Sequence, residues 1–300
     1  MTSNIKLTFL GTADQIPSAD RNHTAILLTY EGENILVDCG EGTQRQLRMA
    51  GISPTKVTRI LVTHWHGDHV LGIPGLIQTL ALNDYHKTLH IYGPKGTKRH
   101  IENLIQAFPS VGGIKMKVEE VNGKFFENDD FYLESKSMTH GIHCNAYSFV
   151  KKGQKRIDKK KLRKSGLPLC PLLQKLKEGK DVIFEGKKYL AKNLTYMQDS
   201  KKICFIMDSS INKNMHLLAK DADVLIIEST YSGELYELAK EHKHMTCKQA
   251  AEIAKQSKSK KLILTHLSER YDKDPSKILN ESQKIFKNVS LAKDFDTFEI

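Results

Sequence analysis

Two kinds of apolar spacing alternate along the chain. Short, nearly continuous apolar runs each end in a polar residue of catalytic type. Asn34-Ile-Leu-Val37 runs into Asp38, Ile60-Leu-Val-Thr63 into His64, and Lys202-Ile-Cys-Phe-Ile-Met207 into Asp208. Val224-Leu-Ile-Ile227 runs into Glu228, and Leu262-Ile-Leu-Thr265 into His266. Apolar runs of this length read as strands buried on both faces. Between them lie stretches with helical spacing: 43–50, stopping at Gly51, then 70–82, 98–108 and 246–256, with Thr246 placed to cap. Asp274-Pro275 sets a capping acid ahead of a proline at a first helical position. This alternation predicts an α/β protein with helices packed outside a sheet core. Strand-then-acid-or-histidine units recur in both halves, which points to two related sheets. Because α/β folds build their sites at the carboxyl ends of strands, five such ends read as function rather than packing.

One stretch interrupts the rhythm. Residues 151–164 (KKGQKRIDKKKLRK) hold nine lysines and arginines against one acid, Asp158. Ser165-Gly-Leu-Pro-Leu-Cys-Pro171 follows, then an amphipathic Leu172-Leu-Gln-Lys-Leu-Lys-Glu-Gly179. The segment falls between the strands near His140 and Asp208. A block of like charge repels itself and is better tolerated where an anion neutralises it. An arm that grips phosphates is therefore favoured over a merely solvated basic face.

Composition narrows the class. Three hundred residues can bury a full core, and a 39% hydrophobic content with a mean hydropathy of −0.43 describes a soluble globular chain. No segment reaches the roughly 18 consecutive apolar residues of a membrane span, and the N-terminus reads as a first strand, not a signal peptide. The five cysteines, Cys39, Cys144, Cys170, Cys204 and Cys247, are scattered with no Cys-x-x-Cys. They argue for a reducing, cytoplasmic setting and against a disulfide framework or a thiolate metal site. A net charge of +11 adds a polyanionic partner to the expectations.

The densest chemistry is His64-Trp65-His66-Gly67-Asp68-His69, directly after a strand. Imidazole and carboxylate suit Zn²⁺, Mn²⁺ or Fe²⁺. The donors exceed what one open catalytic metal takes from a short segment, so two adjacent ions are expected. On an extended segment His64 and His66 share a face, and the turn at Gly67 swings Asp68 and His69 toward a second ion. His140 or His143 can complete the first site, and spacing alone does not choose. Asp208 can bridge, and His266 can complete the second site. His23, His86, His90, His100, His216 and His242 have no strand-end context and read as ordinary surface or packing residues.

With these residues assembled, the chain resembles the metallo-β-lactamase superfamily and, within it, the short form of tRNase Z (ribonuclease Z). The resemblance runs nearly end to end. It includes Phe9-Leu-Gly-Thr-Ala13 with Asp20-Arg-Asn22, Val37-Asp-Cys-Gly-Glu-Gly-Thr-Gln-Arg-Gln-Leu47, Thr63-His-Trp-His-Gly-Asp-His69 and Gly72-Ile-Pro-Gly-Leu76. Glu228-Ser-Thr230, His244-Met-Thr246 and Thr265-His-Leu-Ser-Glu-Arg-Tyr271 follow in the expected order. The resemblance implies an αββα four-layer sandwich over residues 1–300, with an inserted flexible arm at 151–182 that binds tRNA. It implies two Zn²⁺ per subunit. His64, His66 and His140 would hold one, and Asp68, His69 and His266 the other, with Asp208 bridging. It favours His140 over His143, because Ala146-Tyr-Ser-Phe149 follows in the family's manner, and it places Asp38 behind a ligand histidine.

The implied activity is endonucleolytic removal of the 3′ trailer of precursor tRNA, leaving a 3′-hydroxyl on the tRNA and a 5′-phosphate on the trailer. Asp68 is the candidate proton acceptor. His244, oriented by Glu228, is the candidate to contact the phosphate or protonate the leaving oxygen. A homodimer, with one subunit's arm serving the other's site, is implied as well. The chain departs from the family pattern at Cys170-Pro171, Met207-Asp-Ser209 and Ile227-Glu-Ser-Thr230, which bears on arm geometry and rate more than on the chemistry. Another phosphodiesterase of that superfamily or a hydrolase of small esters or thioesters, and a weakly catalytic RNA-binding protein, are the competing readings. The basic arm and the family-specific runs count against the first, and the complete ligand set against the second.

Overall fold

The computed structural model describes residues 4–108 and 113–300. The apolar runs of the sequence become strands. The first half of the chain gives β1 (Lys6–Gly11), β2 (Ala25–Tyr30), β3 (Glu33–Val37), β4 (Arg59–Leu61), β5 (Thr88–Gly93) and β6 (Lys115–Glu120). β7 (Gly123–Glu127), β8 (Phe131–Thr139) and β9 (His143–Lys151) follow. Four short strands, β10 (Gln154–Ile157), β11 (Val182–Phe184), β12 (Lys187–Tyr189) and β13 (Thr195–Gln198), stand apart in two-stranded ribbons. β14 (Lys201–Ile206), β15 (Val224–Glu228), β16 (Leu262–Thr265), β17 (Val289–Leu291) and β18 (Thr297–Glu299) complete the set.

Two seven-stranded sheets result, in the orders β18-β1-β2-β3-β4-β5-β6 and β17-β16-β15-β14-β9-β8-β7. Each has an antiparallel half and a parallel half. β3 to β6 pair in parallel, as do β14 to β17. Parallel pairing sets carboxyl ends side by side, Val37 against Leu61, Ile206 against Ile227, and Glu228 against Thr265. This register gathers the strand-end acids and histidines at one rim.

Burial explains the layering. Phe9, Ile26, Leu28 and Tyr30 of one sheet interlock with Phe131, Tyr147, Phe149 and Phe205 of the other, and Tyr30 meets Phe149 edge-on at 5.5 Å. The far face of the first sheet is covered by helices Thr43–Met49, Gly72–Leu82 and Thr97–Ala107, through Leu47, Ile73, Leu76, Ile77 and Ile101. The far face of the second is covered by Lys213–Ala219, Cys247–Gln256 and Ser276–Gln283, through Met215, Leu218, Ile253 and Ile278. This is the expected αββα sandwich. Thr246 caps Cys247–Gln256 in a capping box with Gln249. Asp274 accepts from the Ser276 N–H at 3.1 Å, one residue beyond the proline start that the sequence suggests.

The basic excursion leaves β9 and returns to β14, which lie side by side, with Lys151 opposite Lys201. Its β10 and β13 pair from Gln154↔Gln198 to Ile157↔Thr195. Leu162, Leu167, Leu176, Val182, Tyr189 and Leu194 form a small core of their own. Asp158 caps the helix Lys159–Ser165 by accepting from the N–H groups of Lys160 and Lys161. The excursion therefore runs past residue 182 to Gln198. The charge block marks where it starts, but its closing strands are short and mixed in polarity, so pattern does not mark where it ends. Between Gln154 and Gln198 lie thirteen lysines and arginines against four acids, a net +9 within a chain of net +11.

Candidate metal centre

The chain leaves β4 extended through Thr63 to His66, then turns into the short helix Gly67–Val70. Close backbone approach holds this turn in place. The Cys39 N–H donates to the His69 carbonyl at 2.8 Å, and the Gly72 N–H to the Cys39 carbonyl at 2.9 Å. A Cβ at Gly72 would lie 2.0 Å from the Gly40 carbonyl oxygen, so only glycine fits there. This contact also splits the apolar run 70–82, since Gly67–Val70 and Gly72–Leu82 are separate helices hinged at Leu71.

Seven side chains from four places in the sequence converge on the rim. His64, His66, His140 and Asp208 form one group, and Asp68, His69, Asp208 and His266 a second; the donor atoms of each group lie within 4.8 Å of one another. Asp208 is 2% exposed and faces both. Its Oδ2 lies 3.6 Å from His64 Nε2 and 3.7 Å from His140 Nε2. Its Oδ1 lies 3.4 Å from His69 Nε2 and 3.0 Å from His266 Nε2. His143 is exposed at the start of β9 and joins neither group.

A test of fit comes from atoms without hydrogen bonds. His69 Nε2, His266 Nε2 and Asp208 Oδ1 are buried and make none. Buried polar atoms without partners are rare in folded proteins, and these three point at one spot, as ligands of a cation would. The charges agree. Burial holds His64 well below its ordinary value, in the neutral ligand form. Burial also disfavours a charged His69, but the Asp208, Asp68 and Asp38 carboxylates outweigh it and hold His69 well above its ordinary value. Asp208 stays ionised despite burial because His266 and His69 face it. The pocket is acid-rich and demands positive charge.

Partners behind the ligands set each ring. Asp38 is fully buried in the left-handed region, φ 57°, and so turns sharply off the end of β3. It accepts from His69 Nδ1–H at 2.7 Å and from the Thr63 hydroxyl and N–H at 2.7 Å each. The Thr63 hydroxyl, having donated to Asp38, accepts from His64 Nδ1–H at 3.1 Å. The other half repeats the device. His266 also has φ 57°, and the Thr230 hydroxyl donates to Glu228 at 2.6 Å and accepts from His266 Nδ1–H at 3.0 Å. His140 Nδ1–H donates to the Lys243 carbonyl at 3.0 Å. Each bond turns Nε2 toward the centre, where His64 Nε2 and His140 Nε2 also meet His66 Nδ1 at 3.0 and 3.2 Å.

Sequence reading names Asp38 but assigns no role to Thr63, Thr230 or the Lys243 carbonyl. The threonines lie inside recognised runs, whereas the carbonyl has no side-chain signal. Asp38→Asn is expected to weaken metal affinity by roughly 10–100-fold, measured by competition with a chromogenic chelator. Unchanged affinity would remove Asp38 from this role.

His244 pairs with Glu228, with Nδ1 3.1 Å from Oε1, and Nε2 lies 3.9 Å from Asp208 Oδ2. Burial opposes its charging, but Glu228 and Asp208 push it up to about 9. Glu228 is fully buried and also accepts from the Ser209 N–H at 3.0 Å. Thr246, not His244, makes the helix cap.

Two stacked mixed sheets with a histidine–carboxylate cluster at their rim define a metallo-β-lactamase-fold protein. The YhfI protein of Bacillus subtilis, solved as such a fold, superposes with a TM-score of 0.72 at 18% identity, covering 100% of both chains. Human tRNase Z, short form, superposes with a TM-score of 0.71 at 28% identity, covering 98% of each. The sequence model of a family described as "Anti-Pycsar protein Apyc1" matches residues 5–143. Ribonuclease Z of Methanothermobacter thermautotrophicus is 39% identical over 298 residues, 99% of this chain and 97% of that protein. Ribonuclease Z of Bacillus cereus is 36% identical over 307 residues, 99% of each. The chain belongs to the ribonuclease Z family.

Proposed function

We propose that this protein is a metal-dependent endoribonuclease that cuts precursor tRNA at the 3′ end, freeing a 3′-hydroxyl on the tRNA and a 5′-phosphate on the trailer. The observation that carries this reading is the pairing of two features: a donor set that converges on Asp208, and a +9 arm that leaves the rest of the chain near neutrality. Two Zn²⁺ would be held by His64, His66, His140 and Asp208, and by Asp68, His69, His266 and Asp208. Zinc there supplies water activation near neutral pH and Lewis-acid stabilisation of phosphate charge.

The chain's own groups do the rest. Asp68 accepts the proton of the attacking water, since its carboxylate stays ionised beside His69 and His266 despite burial. His244, kept protonated by Glu228, donates to the departing 3′ oxygen. The arm grips tRNA phosphates away from the cut, and family membership supports a cytoplasmic homodimer in which one subunit's arm serves the other's site. No described helix is long and apolar enough to cross a membrane.

Incubation with a 3′-extended precursor tRNA, with and without chelator, is the test. Cleavage after the discriminator nucleotide that chelator stops and Zn²⁺ restores is expected. Products ending in a 2′,3′-cyclic phosphate would overturn the scheme. His244→Ala is expected to lower kcat on precursor tRNA by about 10²–10⁴-fold, with a smaller loss on bis(p-nitrophenyl) phosphate, whose leaving group needs no proton. Equal losses on both substrates would mean that His244 is not the donor.

A further inference from the structure

A cavity of about 1060 Å³ opens beside the histidine cluster, on the side of His66 and His140. Part of its wall is aromatic. The Trp65 and His100 rings stack with centroids 4.7 Å apart and planes 24° apart. The indole N–H donates to the Thr97 hydroxyl at 2.9 Å, which donates to the Pro94 carbonyl at 2.7 Å, so the indole plane is fixed. Lys95, Arg99 and Lys243 also line the cavity. Glu120 lines it too, but its carboxylate is engaged by the Gly96 and Lys98 N–H groups at 3.0 and 3.2 Å. Burial and the neighbouring Arg99 hold His100 below its ordinary value, which leaves a neutral flat ring. His100 has no strand-end context, and its place in this wall is visible only in the fold.

An aromatic wall among cations is how proteins hold single-stranded nucleic acid, with bases stacking and lysines and arginines on the phosphates. The volume is at the upper end for enclosed ligand sites. It is large enough for a flexible strand. Trp65 stands between His64 and His66 in the chain, and the same cavity is lined by His66 and His140. A base held on the wall places the adjoining phosphate next to the ligands.

We infer that this cavity takes the single-stranded trailer, the base of its first nucleotide stacking on the Trp65–His100 wall and its phosphates meeting Lys95, Arg99 and Lys243. The inference rests on the endoribonuclease reading above and goes further by assigning a wall that reads base presence without base identity. Stacking is tolerant of sequence because every base has a π-face, as a trailer of varied sequence requires.

The test compares kcat/KM on two precursor tRNAs that differ only in whether the first trailer nucleotide is intact or abasic. Wild type, His100→Ala and Trp65→Leu are measured on both, with bis(p-nitrophenyl) phosphate as the base-free control. The abasic site is expected to lower wild-type kcat/KM by about tenfold or more. Each variant should lose a similar factor on the intact substrate, lose little on the abasic one, and keep its rate on the small diester. A wild type indifferent to the abasic site overturns the inference alone. So do variants that lose the same factor on both precursors, or that lose activity on the small diester. His100 belongs to neither donor group, so His100→Ala keeps the test decisive should Trp65→Leu fail to fold. A wild type that cuts neither precursor overturns the endoribonuclease reading, and the inference with it.

Discussion

Asp68→Ala is expected to lower kcat for trailer removal by about a thousandfold or more, while tRNA affinity stays within about threefold. The carboxylate is 5% exposed, in the first turn of Gly67–Val70. Its Oδ2 lies 3.1 Å from His69 Nε2 and 3.5 Å from His266 Nε2. Burial alone would raise its pKa, but His69 and His266 hold it far below the usual carboxylate range. In the proposed scheme alanine removes both a ligand atom and a proton acceptor. Asparagine keeps the shape and one oxygen but cannot take the proton. Asp68→Asn should therefore be nearly as slow as Asp68→Ala, with bound metal retained better. Single-turnover rates, metal content by atomic absorption and tRNA binding by filter retention separate these outcomes. Near-normal turnover in either variant would remove Asp68 from the proton-acceptor role. Affinity is expected to survive because the arm, not the centre, carries the positive charge.

Much of this arrangement is legible in sequence, for physical reasons. A strand buried on both faces can place a polar side chain only at its end, so apolar runs that stop at Asp38, His64, Asp208, Glu228 and His266 point to a rim. Parallel pairing then gathers those ends, and β14, β15 and β16 do so in register. His140 and His143 show where local pattern runs out. Both lie at the reversal between β8 and β9, and what orients His140 is a carbonyl 103 residues away, at Lys243. Thr63 and Thr230 act by passing a hydrogen bond from histidine to carboxylate, which leaves no trace in hydrophobic spacing. The break at Leu71 follows from the Gly40 backbone pressing on Gly72, again a contact between distant segments. The end of the arm is illegible for the opposite reason: β11 to β13 are short and answer only to a seven-residue private core.

That private core makes the second large effect accessible. Replacing residues 154–198 by a short glycine linker is expected to raise KM for precursor tRNA by about a hundredfold and to leave hydrolysis of bis(p-nitrophenyl) phosphate within about twofold. The graft is feasible because the ends already meet. Gln154 pairs with Gln198, and Lys151 pairs with Lys201 one step into the sheet. None of the residues in the two sheet cores belongs to the arm's own cluster. Each lysine or arginine set against a phosphate releases a counterion, so binding falls with salt by a slope of roughly 0.7–0.9 per contact. The thirteen basic residues lost are matched by only four acids. The truncated protein should show a slope shallower by about 3–5 units, roughly four to six phosphate contacts having gone. Its residual activity on precursor tRNA should keep only the shallower salt dependence of the phosphate contacts that lie outside the arm. Arm and centre are then separable in kind: one sets how often the right RNA arrives, the other how fast it is cut. Equal losses on precursor tRNA and on the small diester would instead make the excursion a prop for the sandwich, its charge incidental to catalysis.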